Sequence, residues 1–355
     1  MTNLRSGFTT GTCAAAAAKA ATLVLLGREN LREVDLALPD GTRVGIPLIY
    51  AREVGTGAEA AVRKDAGDDP DITQGTTVIA RVTRLDTPEI RLIAGEGVGI
   101  VTKPGLSVPP GQPAINPVPQ RMIQEGIREV TKGGVEVILS IPGGKELAEK
   151  TFNPRLGIVG GLSILGTSGR VRPFSSPALK VSLKCSLEVA AACGIEAPVL
   201  VPGHIGERAA RRHFELRDEQ LIEVSNEWGY MLDCARSYHF KGLMVLGHPG
   251  KLGKLAMGEW DTHSSRSKSA VPWISVLARA LGCSATDQQT AEGIFSALSA
   301  AERKKLGEAL ASEVCRAVAE RLRGSLQVGA VLVNIQGDWL GCAGELELWI
   351  RKNPS

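Results

Sequence analysis

The 355-residue chain predicts a two-part mixed fold: an α+β layered domain over residues 1–150, then an α/β domain with a mostly parallel sheet over 151–355. Three observations carry this expectation. The length suits two domains at roughly 150 residues each. Strand signals crowd the first half while helices are few there, as in segregated layers. The second half alternates strand and helix, which parallel strands need for their crossovers.

In the first half, Cys13–Leu26 reads as a helix, capped by Thr12 or by the Thr9-Thr10-Gly11 turn. Its alanine run combines high helix propensity with a surface that a backbone or ligand can approach. Val34–Leu38 and Arg43–Ile49 flank Pro39-Asp40-Gly41, a hairpin signal. Thr76–Leu85, Glu89–Ala94 and Val135–Ile141 read as strands, and Pro117–Val130 as a helix with Pro119 in its first turn. In the second half, Leu156–Gly160 reads as a strand running into a glycine-rich turn. Helix 177–193, strand 198–201, helix 205–214, strand 221–224, helix 226–240 and strand 243–247 continue the alternation. Trp273–Leu281 and Ala301–Arg323 read as helices, the latter with Leu306, Leu310, Val314, Val318 and Leu322 as its core stripe. Val331–Ile335 and Leu346–Ile350 read as late strands. This rhythm is that of a Rossmann-like α/β/α domain.

Composition narrows the function classes. There are 41 Lys+Arg against 38 Asp+Glu, and a net +3 is too small to argue for nucleic acid. Aromatic residues at 4% count against base-stacking platforms. No run of about 18 uncharged apolar residues spans a membrane. The N-terminus does not read as a signal peptide, because Lys19 interrupts the apolar stretch. Seven scattered cysteines without a CxxC pair suit a reducing, cytoplasmic compartment and no protein-bound metal.

Five segments could carry chemistry. The densest is the loop Gly160, Gly161, Leu162, Ser163, Ile164, Leu165, Gly166, Thr167, Ser168, Gly169. Its glycines would admit a ligand to the backbone, and Ser163, Thr167 and Ser168 offer hydroxyls. Residues 161–168 nearly spell a P-loop, but Thr167 stands where the phosphate-binding Lys belongs. The loop therefore suits a nucleoside with little phosphate, or else is a tight turn. Gly247-His248-Pro249-Gly250-Lys251-Leu252-Gly253-Lys254 follows a strand and forms either an anion cradle or a solvated basic turn. Asp261 and His263 would point the same way on an extended segment; a helix cap at Thr262 or Ser264 competes. Asp68, Asp69 and Asp71 pack three carboxylates into four positions, where repulsion could raise one pKa or Asx turns could form. Thr9, Thr10 and Thr12 place hydroxyls at a helix N-terminus, suited to a ligand carboxylate or to capping alone.

Beyond these readings, the chain resembles the CbiD family. The resemblance rests on six ordered blocks: GFTTGTC with its alanine run (7–13), GDDPDIT (67–73), GEGVGIVTKPGL (95–106), PAINPVP (113–119), FNPRLGIVGGLSILGTSG (152–169) and GHPGKLGKLA (247–256). Gln112 and Ser267-Lys268 depart from the pattern, where acidic residues are expected.

The resemblance implies methylation of ring carbon C-1 of a cobalt-bearing tetrapyrrole, cobalt-precorrin-5B, with S-adenosylmethionine as donor. It also implies an α+β domain beside a Rossmann-like one. The substrate carries many carboxylates, so Lys251, Lys254, Arg170 and Arg172, with Thr9, Thr10 and Thr12, are candidate substrate-binding residues. The donor has no phosphate, which fits a loop without the P-loop Lys. His248, Asp261 and Asp69 are candidates for a base that rebalances protons on the macrocycle. The cobalt arrives with the substrate. A homo-oligomer, and handover to other enzymes of the corrin pathway, are compatible with this reading. A kinase or ligase using the near-P-loop, or a non-catalytic tetrapyrrole carrier, are the competing classes.

Overall fold

The computed structural model describes residues 4–173, 176–284 and 287–352. It is a mixed α/β protein with several sheets and, among the described residues, ten α-helices. The chain divides into two compact units, Met1–Ala178 and Leu179–Ser355.

In the first unit, α1 (Thr10–Leu25) carries seven alanines, Ala14–Ala18, Ala20 and Ala21, all with no exposed surface. Short side chains let it press on a five-stranded sheet and on α2 (Pro117–Arg128). The hairpin β1 (Glu33–Ala37) and β2 (Arg43–Pro47) stands apart from the sheet. The sheet contains β3 (Tyr50–Val54), β4 (Gly57–Arg63), β5 (Thr77–Leu85), β6 (Ile90–Ala94) and β7 (Gly134–Ser140), in the order β3-β4-β5-β7-β6. All neighbours are antiparallel except β7 and β6. Ile123 and Ile127 of α2 are fully buried in this core, worth ~1.5–3 kcal/mol each. Lys19, the charge inside the alanine run, is also buried. Its ammonium donates to the Asp35 carbonyl at 2.7 Å and to Glu129 at 2.5 Å.

The second unit begins in α4 (Ser176–Ala192), which follows the short α3 (Gly144–Ala148) of the first. Its strands are β8 (Val199–Val201), β9 (Leu221–Glu223), β10 (Gly242–Gly247), β11 (Gln327–Val333) and β12 (Trp339–Gly344). They lie in the order β9-β8-β10-β11-β12, the first four parallel and β12 antiparallel. Every residue of β10 is buried, so the strand is covered on both faces, as parallel strands require. Ala209, Ala210 and Phe214 at the α5 helix (His204–His213) form one core cluster with Val199, Val201, Met244, Leu246, Val331 and Val333. The remaining helices are α6 (Trp228–Ala235), α7 (Pro249–Ala256), α8 (Val271–Ala280), α9 (Ala291–Ala297) and α10 (Ala300–Arg321). The stripe on α10 is fully buried from Leu306 to Leu322, and α10 packs on β11 and β12. Ser299 and Glu302 cap its start reciprocally.

Three expectations change. Residues 151–178 belong with the first unit, because Ile158–Val159 pairs with Ile100–Val101 and Gly161–Leu162 with Gly97–Val98. The strand expected at Leu156–Gly160 thus shrinks to a two-residue pairing. Leu346–Ile350 is no strand; Trp349 anchors that segment by donating from its indole to the Ala197 carbonyl at 2.9 Å.

Candidate functional site

In the first unit, five of the six sequence blocks interlock. Gly7–Phe8 pairs with Arg170–Val171, and Ser6 bridges to Gly67. Gly97–Val98 runs parallel to Gly161–Leu162, and Asn116 N–H donates to the Ile164 carbonyl at 2.9 Å. Such approach needs bare backbone: a Cβ on Gly161 would lie 2.2 Å from the Gly97 carbonyl carbon.

The N-terminus of α1 anchors the loop 160–169. Thr9 is the N-cap, its hydroxyl accepting from the Thr12 N–H at 3.2 Å. Thr10 accepts from the Leu165 N–H at 3.0 Å, and Thr12 donates to the Gly169 carbonyl at 2.7 Å. All three threonines are buried and hydrogen-bonded to one another or to the loop backbone. Ser163 is turned inward and donates to Asn153, whose amide donates to the Gly161 carbonyl at 3.1 Å. Gly166, with φ +133°, lies against Thr9: a Cβ there would meet the Thr9 side chain at 2.4 Å. Gly160, Thr167 and Ser168 are exposed, Gly169 is buried, Arg170 is half-buried near the Phe8 ring, and Arg172 is exposed. The segment does not enter a helix directly as a P-loop would, since residues 161–162 are a paired strand and Arg170–Val171 another.

The acidic block is held by cations and amides. Asp68 accepts from the Arg5 N–H at 2.6 Å. Asp71 accepts from the fully buried Lys64 at 2.6 Å and from the Thr73 N–H and hydroxyl. Burial pushes the Asp71 carboxyl up, but Lys64 and Thr73 outweigh it and hold it below the usual carboxylate range. The raised pKa expected from repulsion is therefore not found at Asp71. Asp69 is half-buried beside it. Burial pushes the nearby Cys13 thiol up to about 12, so it stays protonated.

In the second unit the candidate residues gather at the carboxyl edge of the parallel sheet. His248 follows β10 and N-caps α7, its Nδ1 accepting from the Gly250 N–H at 3.0 Å. Nε2 therefore carries the proton and donates to Glu292 at 2.8 Å. Both ring nitrogens are engaged. Lys251 and Lys254 come to one cluster, as their spacing suggests. Lys251 donates to the Asn226 side chain, which also accepts from the Thr262 hydroxyl at 3.2 Å. Lys254 is 7% exposed and donates to the Thr262 carbonyl at 3.1 Å and to Ser267 at 2.8 Å. Among the described residues no carboxylate pairs with either lysine. Burial, then the Lys254 charge, lowers the Lys251 ammonium from its ordinary range against the pull of Asp261.

Asp261 and His263 do not share a proton. Asp261 accepts from the His263 backbone N–H at 3.0 Å and pairs with Arg266 at 2.6 Å, while the His263 ring reaches Ser265. Buried Glu227 lies 3.4 Å from Lys180 and 3.9 Å from Arg266. The cluster thus sets Lys180, Lys251, Lys254 and Arg266 against Glu227 and Asp261, an excess of cation. Asn226 and Glu292 carry no signal in sequence, since each acts across a nonlocal contact.

The CbiD family model matches residues 1–173, and the model for the CbiD C-terminal domain matches residues 261–344. The chain is similar to the cobalt-precorrin-5B C(1)-methyltransferase of Syntrophotalea carbinolica, 54% identical over 98% of this chain and 100% of that protein. It is similar to the protein of that name from Moorella thermoacetica, 42% identical over 95% of this chain and 94% of that one. It also resembles the crystal structure of a cobalamin biosynthesis protein (CbiD) from Archaeoglobus fulgidus. That likeness has 29% identity and a TM-score of 0.41, and covers 74% of this chain and 83% of that one. The ordered blocks, the two family models and the 54% identity over 98% of the chain lead to one assignment: the chain belongs to the CbiD family.

Proposed function

We propose that this chain methylates carbon C-1 of cobalt-precorrin-5B in cobalamin biosynthesis, with S-adenosylmethionine as donor. The observation that carries the reading is the 54% identity, over 98% of this chain, to a cobalt-precorrin-5B C(1)-methyltransferase. The second unit is read as Rossmann-like, on its parallel strand order and its strands covered on both faces.

S-adenosylmethionine supplies, when bound, an electrophilic methyl carbon and a neutral leaving group. No acid is then needed, and the protein's contribution is alignment, worth up to ~7–11 kcal/mol. Lys251 and Lys254 suit a peripheral carboxylate of the tetrapyrrole, because among the described residues neither pairs with a carboxylate. Asn226, Thr262 and Ser267 hold the two ammonium groups in place. His248 acts here by fixing the start of α7, which bears both lysines, rather than as a base. The engaged threonines at 9, 10 and 12 position the loop 160–169, where Thr167 is exposed and the exposed Ser168 bonds to the Arg170 backbone.

The test is incubation of the purified protein with methyl-labelled S-adenosylmethionine and cobalt-precorrin-5B. Label should pass to the tetrapyrrole with equimolar S-adenosylhomocysteine. Tetrapyrrole binding without transfer would instead favour a carrier, and ATP hydrolysis a kinase or ligase.

A further inference from the structure

In the strand order β9-β8-β10-β11-β12, the chain leaves β8 to one side for β9 and returns past it to β10. The order reverses between β8 and β10, and ligands of open parallel sheets bind outside the carboxyl ends at such a point. The turn after β8 is Pro202-Gly203-His204-Ile205-Gly206. Gly203 has φ +155° and ψ −161°, a conformation open essentially to glycine alone. Among the described residues, a Cβ built there would meet only the Glu223 carboxylate within 4 Å, at 3.8 Å. Among those residues the turn is uncrowded, with an acidic group at its rim. Gly206 serves packing: its Cβ would lie 3.0 Å from the Leu246 carbonyl oxygen and 3.0 Å from Val201.

Glu223 ends β9, the neighbour of β8, twenty positions beyond Gly203. A tight glycine turn after one strand, with a carboxylate about 20 residues on at the end of the next, is the arrangement that receives a ribose diol. We propose that the nucleoside of S-adenosylmethionine sits over Gly203, with the Glu223 carboxylate accepting from its ribose hydroxyls. The residues fit the group: the cradle is one that a side chain at 203 would fill, and a carboxylate is an acceptor suited to a diol. Asn226, which holds Lys251, lies three positions after Glu223, so nucleoside site and anion cradle share one loop. This inference rests on the proposed donor and moves its site from the loop 160–169 to the second sheet.

The test is calorimetry with S-adenosylhomocysteine and with its 2′-deoxyribose analogue. Glu223→Ala and Glu223→Gln are compared with the wild-type protein, each with its melting temperature recorded. The wild type should prefer the ribose form, and Glu223→Ala should lose about 10- to 150-fold in affinity for it. The same variant should stay folded and bind both analogues alike. A folded Glu223→Ala that binds S-adenosylhomocysteine as the wild type does would overturn the inference. So would a Glu223 variant that keeps the ribose preference, or one that melts with loss of binding while Glu223→Gln retains full affinity and preference. A wild-type protein that binds no S-adenosylhomocysteine would overturn the donor reading itself.

Discussion

The His248 imidazole donates through Nε2 to Glu292 across 2.8 Å while Nδ1 accepts from the Gly250 amide. The carboxylate thus fixes the tautomer that caps α7. His248→Ala should lower stability by about 0.5–2 kcal/mol, and His248→Asn, which retains a capping oxygen, by less. Urea denaturation of both variants is the check; equal losses would argue against the capping role.

Lys254 separates stability from binding. Among the described residues its ammonium is buried without a carboxylate, a costly arrangement for folding alone. Lys254→Met should leave the melting temperature unchanged or raised. Tetrapyrrole binding should fall by about 10- to 150-fold, the worth of one charge-assisted hydrogen bond. A variant that melts early yet binds normally would make Lys254 a structural residue.

Glu129 gives the acid behaviour of the first unit. Arg43 first, then Lys19, hold its carboxyl at about 2 from an ordinary 4.5. A depressed carboxyl adds stability that is fully present above its unfolded pKa and lost as pH falls through the folded one. Glu129→Gln should therefore be less stable than wild type near neutral pH, and the gap should close between about pH 4.5 and pH 2. Urea midpoints across that range check the sign; a gap that widens in acid would refute it.

Gly166 lies directly against the Thr9 side chain. Gly166→Ala should destabilise by about 1–3 kcal/mol, from overpacking against Thr9 at a strained φ. Thr9→Gly, which keeps a tolerable N-cap, should recover part of that loss. Additive losses in the double variant would show that the two residues do not interact.

The elements legible in sequence were those with local signals. Pro39-Asp40-Gly41 marked the β1–β2 hairpin, and the four-residue steps of α10 marked its buried stripe. The β3–β4 hairpin escaped because its strands, the charged YAREV and the alanine-rich GAEAAVR, lack apolar alternation. Leu346–Ile350 misled because a short apolar run reads alike as strand or as an anchored turn. The loop 160–169 misled for another reason: its strand partners lie near residues 97–101, beyond any local pattern. Lys251 and Lys254 were legible together from their three-residue spacing, whereas Asn226 and Glu223 became visible only when β8, β9 and β10 were set side by side.

The position of the transferred methyl group distinguishes C-1 methylation from any other transfer. The protein should be supplied with ¹³C-methyl S-adenosylmethionine and cobalt-precorrin-5B, and the product examined by carbon NMR. One enriched methyl resonance, coupled to ring carbon C-1, is expected. Enrichment at another ring carbon or at a carboxylate oxygen, or a tetrapyrrole recovered without label, would contradict it.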